Sequence, residues 1–109
     1  MDLEYKSKIL FIRLDGKLVR RTIYKINNYI MPVLIKHKIK YVVYNLKNLK
    51  SIDEQGIDAI LNTKCQIKKN KGKIYLCEVK NEISKKIKRL RILNVDNEMT
   101  AYLKIEVNM

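Results

Sequence analysis

Asp53, Glu54 and Asp58 set three carboxylates along one short stretch, with the hydroxyl of Ser51 and the amide of Gln55 among them. Side chains of these types can hold a divalent cation, cap a helix, or present a hydroxyl for phosphorylation. A hard cation wants more oxygen ligands than the three carboxylates offer, so capping and surface charge are expected in place of a metal. Ser51-Ile52-Asp53-Glu54 fits a capping box, in which a hydroxyl accepts from the N–H three residues on and the carboxylate returns the bond. Losing such a cap costs around 1 kcal/mol. Either Ser51 or Asp53 can serve as the cap, and Ser51 is kept as a possible phosphoacceptor behind that structural role.

Nucleophilic catalysis needs a base within reach of the nucleophile, and His37 is the only imidazole. At the expected C-terminus of a helix, its interaction with the macrodipole accounts for it. Gly16, Gly56 and Gly72 are too dispersed for a phosphate-cradling loop. Cys65 and Cys77 lack CxxC spacing and companion ligands, and both are expected as reduced core thiols. No catalytic residue, cofactor or metal is expected, and the chain does not read as an enzyme.

The elements that must position the carboxylates follow from periodicity. The apolar run Tyr41-Val42-Val43-Tyr44 precedes them within a strand spanning Ile39 to Leu46. The spacing Ile57, Ile60, Leu61, Cys65 after them marks a helix from Gly56 to Lys69, ended by Asn70-Lys71-Gly72 with the glycine expected just past the C-terminus. The carboxylates therefore fall where a buried strand gives way to an amphipathic helix. Upstream, Leu3 to Lys6 and Ile9 to Leu14 read as two strands, the second buried on both faces, with Asp15-Gly16 as a turn. A helix from about Arg20 to His37 carries Ile23, Ile26, Ile30, Val33 and Leu34 inward, and Pro32 within it predicts a kink near Asn28 or two shorter helices. Downstream, Ile74 to Val79 is a buried strand. Asn81 fits the N-cap of a helix burying Ile83, Ile87 and Leu90. Asn97 fits the N-cap of a last helix with Met99, Tyr102 and Leu103. The order predicts an α/β domain: a mixed, mostly parallel sheet of about four strands, an antiparallel N-terminal edge hairpin and four helices.

At 109 residues the chain is read as one domain, residues 1–109, with a core that needs no staples. No stretch approaches the roughly 18 apolar residues of a membrane span, and the N-terminus does not read as a signal peptide, so a cytoplasmic location is expected. The net charge of +13 raises a nucleic-acid reading. Against it, basic residues occur on nearly every exposed segment. The chain is also rich in Ile, Asn and Tyr, which share A- and T-rich codons with Lys. The densest run, Lys85, Lys86, Lys88, Arg89 and Arg91, is read as a solvated helix face, and nucleic acid is the disfavoured reading.

With these segments in order, the chain resembles the STAS domain of the anti-sigma factor antagonist type over nearly its entire length. The resemblance runs through Leu14-Asp15-Gly16-Lys17-Leu18, the strand Tyr41 to Leu46, Leu49-Lys50-Ser51-Ile52-Asp53-Glu54-Gln55-Gly56-Ile57, Lys71 to Cys77, and the tail Asn97 to Ala101. It implies a non-catalytic domain that binds a partner which is both serine kinase and anti-sigma factor. In the family a motif Asp-Ser-Ser-Gly carries the phosphorylated second serine. Asp53 matches the aspartate, Glu54 the first serine, Gln55 the phosphoacceptor and Gly56 the glycine. Gln55 has no hydroxyl, so the usual switch of roughly −1.5 to −2 charges cannot operate there. Glu54 could partly imitate the phosphorylated form, and Asn45 stands where the family commonly has an aspartate. The implied partner-binding residues are Asp53, Glu54, Gln55, Gly56 and Ile57. The alternative is a STAS scaffold or accessory subunit of a signalling or transport complex. Oligomeric state is left open.

Overall fold

The computed structural model describes all 109 residues. Two strands form the N-terminal hairpin, β1 (Asp2–Lys6) and β2 (Ile9–Leu18), and a π-helical turn at Ile26–Ile30 leads into α1 (Met31–Lys36). Strand β3 (Tyr41–Ile52) and helix α2 (Glu54–Lys69) follow, then β4 (Lys73–Cys77), α3 (Asn81–Ser84), a 3-10 turn at Lys88–Leu90, β5 (Leu93–Val95) and α4 (Glu98–Val107). The five strands lie in sequence order. β1 pairs antiparallel with β2, and β2, β3, β4 and β5 run parallel.

Alternation along β2 sorts its side chains onto two faces, as the unbroken apolar run requires. Leu10 and Ile12 join the larger core with Ile26, Ile30, Leu34, Ile60 and Leu90 under the α1 and α2 side. Ile9 and Phe11 join Val43, Tyr75 and Cys77 on the opposite face, where α4 covers them with Ala101 and Ile105.

Several expectations are corrected. Asp15-Gly16 is not a turn: Gly16 takes a left-handed φ of +62°, the register slips on either side, and β2 continues alongside β3 as far as Leu18 opposite Ile52. A bulge of this kind absorbs an extra residue without ending a strand. The division of the first helix expected from Pro32 is present, with the Met31 N–H reaching back to the Ile26 carbonyl before Pro32 enters at the start of α1, where its missing N–H costs no bond. Its expected inward face is only partly so, since Val33 is exposed. Lys71, not Gly72, takes the left-handed conformation after α2. Gly72 serves a close approach instead: a Cβ there would lie 1.7 Å from the Lys40 carbonyl oxygen. Asn81 is not an N-cap, because α3 begins after Lys80 and has no side-chain cap. Asn97 does cap α4, its amide oxygen accepting from the Thr100 N–H at 2.9 Å. Met99 and Leu103 face outward, and Ala101 and Ile105 make the buried contact. Cys77 is buried but Cys65 is exposed.

Candidate functional site

Strands β2 and β3 both end at the carboxyl edge of the sheet, and α2 starts there one residue after β3. Asp53 is the N-cap. Its carboxylate accepts from the Gly56 N–H at 2.9 Å and from the Arg20 N–H at 3.0 Å, so it satisfies a helix-end donor and clamps the segment after β2. These backbone donors, Gly56 first, hold its pKa below the ordinary carboxylate value. The Asp53 N–H donates to the Leu18 carbonyl at 3.2 Å. Gly56 packs against the same group, and a Cβ on it would stand 2.2 Å from the Leu18 oxygen. The aspartate and the glycine are thus the fastening of β2 onto α2.

Ser51 lies in β3 opposite Lys17 and forms no capping box, because the strand continues to Ile52. Of the five residues expected to meet a partner, Glu54 and Gln55 are exposed, Asp53 is half-buried, and Gly56 and Ile57 are buried. Ile57 belongs to the larger core. What the helix start presents outward is therefore Glu54, Gln55 and, one turn on, Asp58. Arg89 reaches across from the 3-10 turn to Glu54 at 2.7 Å and Asp58 at 3.1 Å. Its guanidinium occupies the place a cation between those carboxylates would need. The Gln55 side chain has no partner within the chain. The basic run Lys85 to Arg91 is not a helix face: Lys85 and Lys86 lie in the turn after α3, Lys88 and Arg89 in the 3-10 turn and Arg91 just beyond it, and Arg89 is engaged by the two carboxylates.

Across the sheet, the α4 side of the same edge carries a cluster that sequence reasoning missed. The Arg13 guanidinium contacts Glu98 at 2.8 Å, Glu4 at 2.8 Å and Asp2 at 3.0 Å. Three acceptors raise the arginine's pKa, and the Arg13 hydrogen bond is the largest influence lowering that of Glu98. Buried Asn45 donates to Glu98 at 2.8 Å and to Glu78 at 3.2 Å, and accepts from the Lys47 N–H at 2.9 Å. An amide supplies donors that a carboxylate at this position would lack. Asn45 inside the apolar run of β3 was the one sequence signal for this cluster.

The molecule is a mixed five-stranded α/β domain with a helix-capping Asp-x-x-Gly at the carboxyl edge of its sheet. The STAS domain family model matches residues 1–107, and the chain belongs to that family. It is 23% identical over 111 residues to the anti-sigma F factor antagonist of Paenibacillus polymyxa, covering 98% of this chain and 95% of that protein. The fold matches that of the anti-sigma factor antagonist SpoIIAA in its unphosphorylated form, with TM-score 0.81 and 16% identity over 99% of this chain and 98% of that one. Against the Thermotoga maritima protein TM1081 the TM-score is 0.86, with 13% identity over 96% of this chain and 93% of that chain. No helix is long and apolar enough to cross a membrane.

Proposed function

We propose that this chain is a non-catalytic, cytoplasmic regulatory domain of the anti-sigma factor antagonist type. It docks an ATP-binding anti-sigma factor of the serine-kinase class on the lip formed by Glu54, Gln55 and Asp58, with Asp53, Gly56 and Ile57 shaping that lip from beneath. The observation that carries this reading is the division of labour at the helix start. Asp53 and Gly56 are consumed in fastening β2 to α2, while Gln55 projects unpartnered. An amide at that position can contact a protein but cannot be esterified by a kinase, so docking is not released by phosphorylation there and control rests on abundance or on another residue.

The test is calorimetric titration against the cognate anti-sigma factor. Glu54→Lys combined with Gln55→Trp should weaken binding at least tenfold, the loss expected when central contacts of an interface are replaced, while the far-ultraviolet spectrum stays unchanged. Undiminished affinity refutes the lip. Gln55→Ser restores a hydroxyl at the acceptor position, and intact mass after incubation with the partner and ATP should then show one added phosphate.

A further inference from the structure

We propose that the amino edge of the sheet, opposite the docking lip, is a contact surface for an anionic lipid bilayer. Ile9, Tyr41 and Lys73 are in register across β2, β3 and β4, so the turns that precede these strands end at one height. The Asn70 amide locks two of them together, donating to the Ile39 carbonyl at 2.7 Å and the Leu34 carbonyl at 3.1 Å, and the Lys73 N–H bonds the Lys40 carbonyl at 2.8 Å. Three chain segments thereby form one platform.

Two of these segments, the α1–β3 and α2–β4 turns, carry cations and no carboxylate. The α1–β3 turn brings Lys36, Lys38 and Lys40, and the end of α2 with its turn brings Lys68, Lys69, Lys71 and Lys73, every one exposed and none in an ion pair. The hairpin adds Lys8, while Lys6 is turned away over the Phe11 ring and paired with Glu4 at 3.6 Å. No carboxylate lies between residues 16 and 52 or between 59 and 77, so neither turn carries a counter-charge.

Composition alone does not account for this. Lys8, Lys38 and Lys71 occupy left-handed backbone positions with φ of 66°, 49° and 62°. Asparagine tolerates that region better than lysine, and a chain drawn from A- and T-rich codons has asparagine at hand. Lysine holds three of the six non-glycine left-handed positions, the others being Ser7, Glu78 and Arg91, and all three of these lysines lie at this edge.

The neighbours of the lysines point to a bilayer instead of a nucleic acid. Tyr5, Val33 and Ile35 are exposed beside them. Tyr5 and Val33 also line an open apolar groove of about 480 Å³ with Leu10, His37 and Ile39. Phosphates of a duplex give such side chains nothing to pack on, whereas a lipid interface takes up apolar and tyrosine side chains flanked by lysines. None of the cations at this edge is an arginine, the side chain suited to bidentate reading of bases. A chain resting on this edge keeps Glu54 and Gln55 on the side away from the lipid.

The experiment is co-sedimentation of the full chain with phosphatidylcholine vesicles containing about 30% phosphatidylglycerol, at about 150 mM salt. Binding should be absent with phosphatidylcholine alone and should fall with added salt. Lys38→Asn with Lys71→Asn should lower partitioning about 25-fold, since each lysine near an anionic surface is worth about fivefold. Lys85→Asn with Lys86→Asn removes the same charge at the other edge and should cost less than about threefold, being farther than a Debye length of about 8 Å from the lipid. Equal losses in the two variants would reduce the effect to net charge and overturn the proposal. Tighter binding to duplex DNA than to vesicles, with the same dependence on Lys38 and Lys71, would also overturn it, as would unaltered vesicle binding by Tyr5→Ser with Ile35→Ser.

Discussion

The two edges of the sheet handle charge in opposite ways. At the carboxyl edge Arg13 holds three carboxylates and Arg89 holds two, so cations there orient acidic side chains, Arg13 tying α4 and β1 to β2 and Arg89 tying the 3-10 turn to α2. At the amino edge the turns are secured by backbone carbonyls and one asparagine, which leaves the lysines free. The carboxylates on Arg13 include the partly buried Glu98, whereas Glu54 and Asp58 stay exposed in their pairing with Arg89 and remain accessible to a partner. The contrast therefore separates two roles at the carboxyl edge itself: Asp53 is structural and Gln55 is available, although they are two residues apart.

Glycine substitutions probe both edges with the largest effect. Gly72→Ala and Gly56→Ala each force a Cβ into a backbone carbonyl oxygen, at 1.7 Å and 2.2 Å respectively. Each should cost about 3 kcal/mol or more in urea unfolding, with Gly72→Ala the worse. A loss below about 1 kcal/mol would mean that the strands part easily at that point. Next comes the pair Arg13→Met and Arg89→Met. The first strands partly buried Glu98 and should cost about 1–3 kcal/mol, while the second breaks an exposed pair and should cost at most about 0.5 kcal/mol. Equal costs would erase the distinction between the structural cluster and the lip.

Acid should act on the Arg13 side of that edge. Because the folded-state pKa of Glu98 is lowered, its contribution is fully present above the ordinary carboxylate pKa of about 4.3 and is lost as pH falls through the lowered value. Thermal midpoints of the wild type should fall across that acidic window more steeply than those of Glu98→Gln. Thiol chemistry separates the interior from the surface. Burial, with Glu98 and Glu78 adding to it, pushes the Cys77 thiol up to about 12, so iodoacetamide should label Cys65 alone in the native protein. The smallest effect belongs to the amino edge. Lys38→Asn and Lys71→Asn should each stabilise the fold by a few tenths of a kcal/mol, by relieving left-handed backbone strain. A measured loss of stability would mean that the lysines contribute to the fold as well.

The alternation of strands and helices, the buried faces of β2 and β4, and the strand-to-helix setting of Asp53 were legible because each rests on a local period. What escaped the sequence depends on distant partners. Strand β5 is only Leu93-Asn94-Val95, too short to show alternation, and it is a strand because β4 lies beside it. The reach of β3 to Ile52 depends on Leu18 opposite, so Ser51 looked like a cap when it was still paired. Arg13 and Glu98 are 85 residues apart, and only the fold joins them. The amino-edge lysines come from three separate segments, each unremarkable alone, whereas the dense run near Arg89 was conspicuous and proved to be divided and partly engaged by carboxylates.

The measurement that tests the central claim most directly is a single incubation of the wild-type chain with the proposed partner, a kinase-type anti-sigma factor, and ATP, followed by native mass spectrometry. The account predicts an intact complex and an unmodified chain, because the lip has no hydroxyl at Gln55. Stoichiometric phosphate on Ser51 with dissociation of the complex would contradict it.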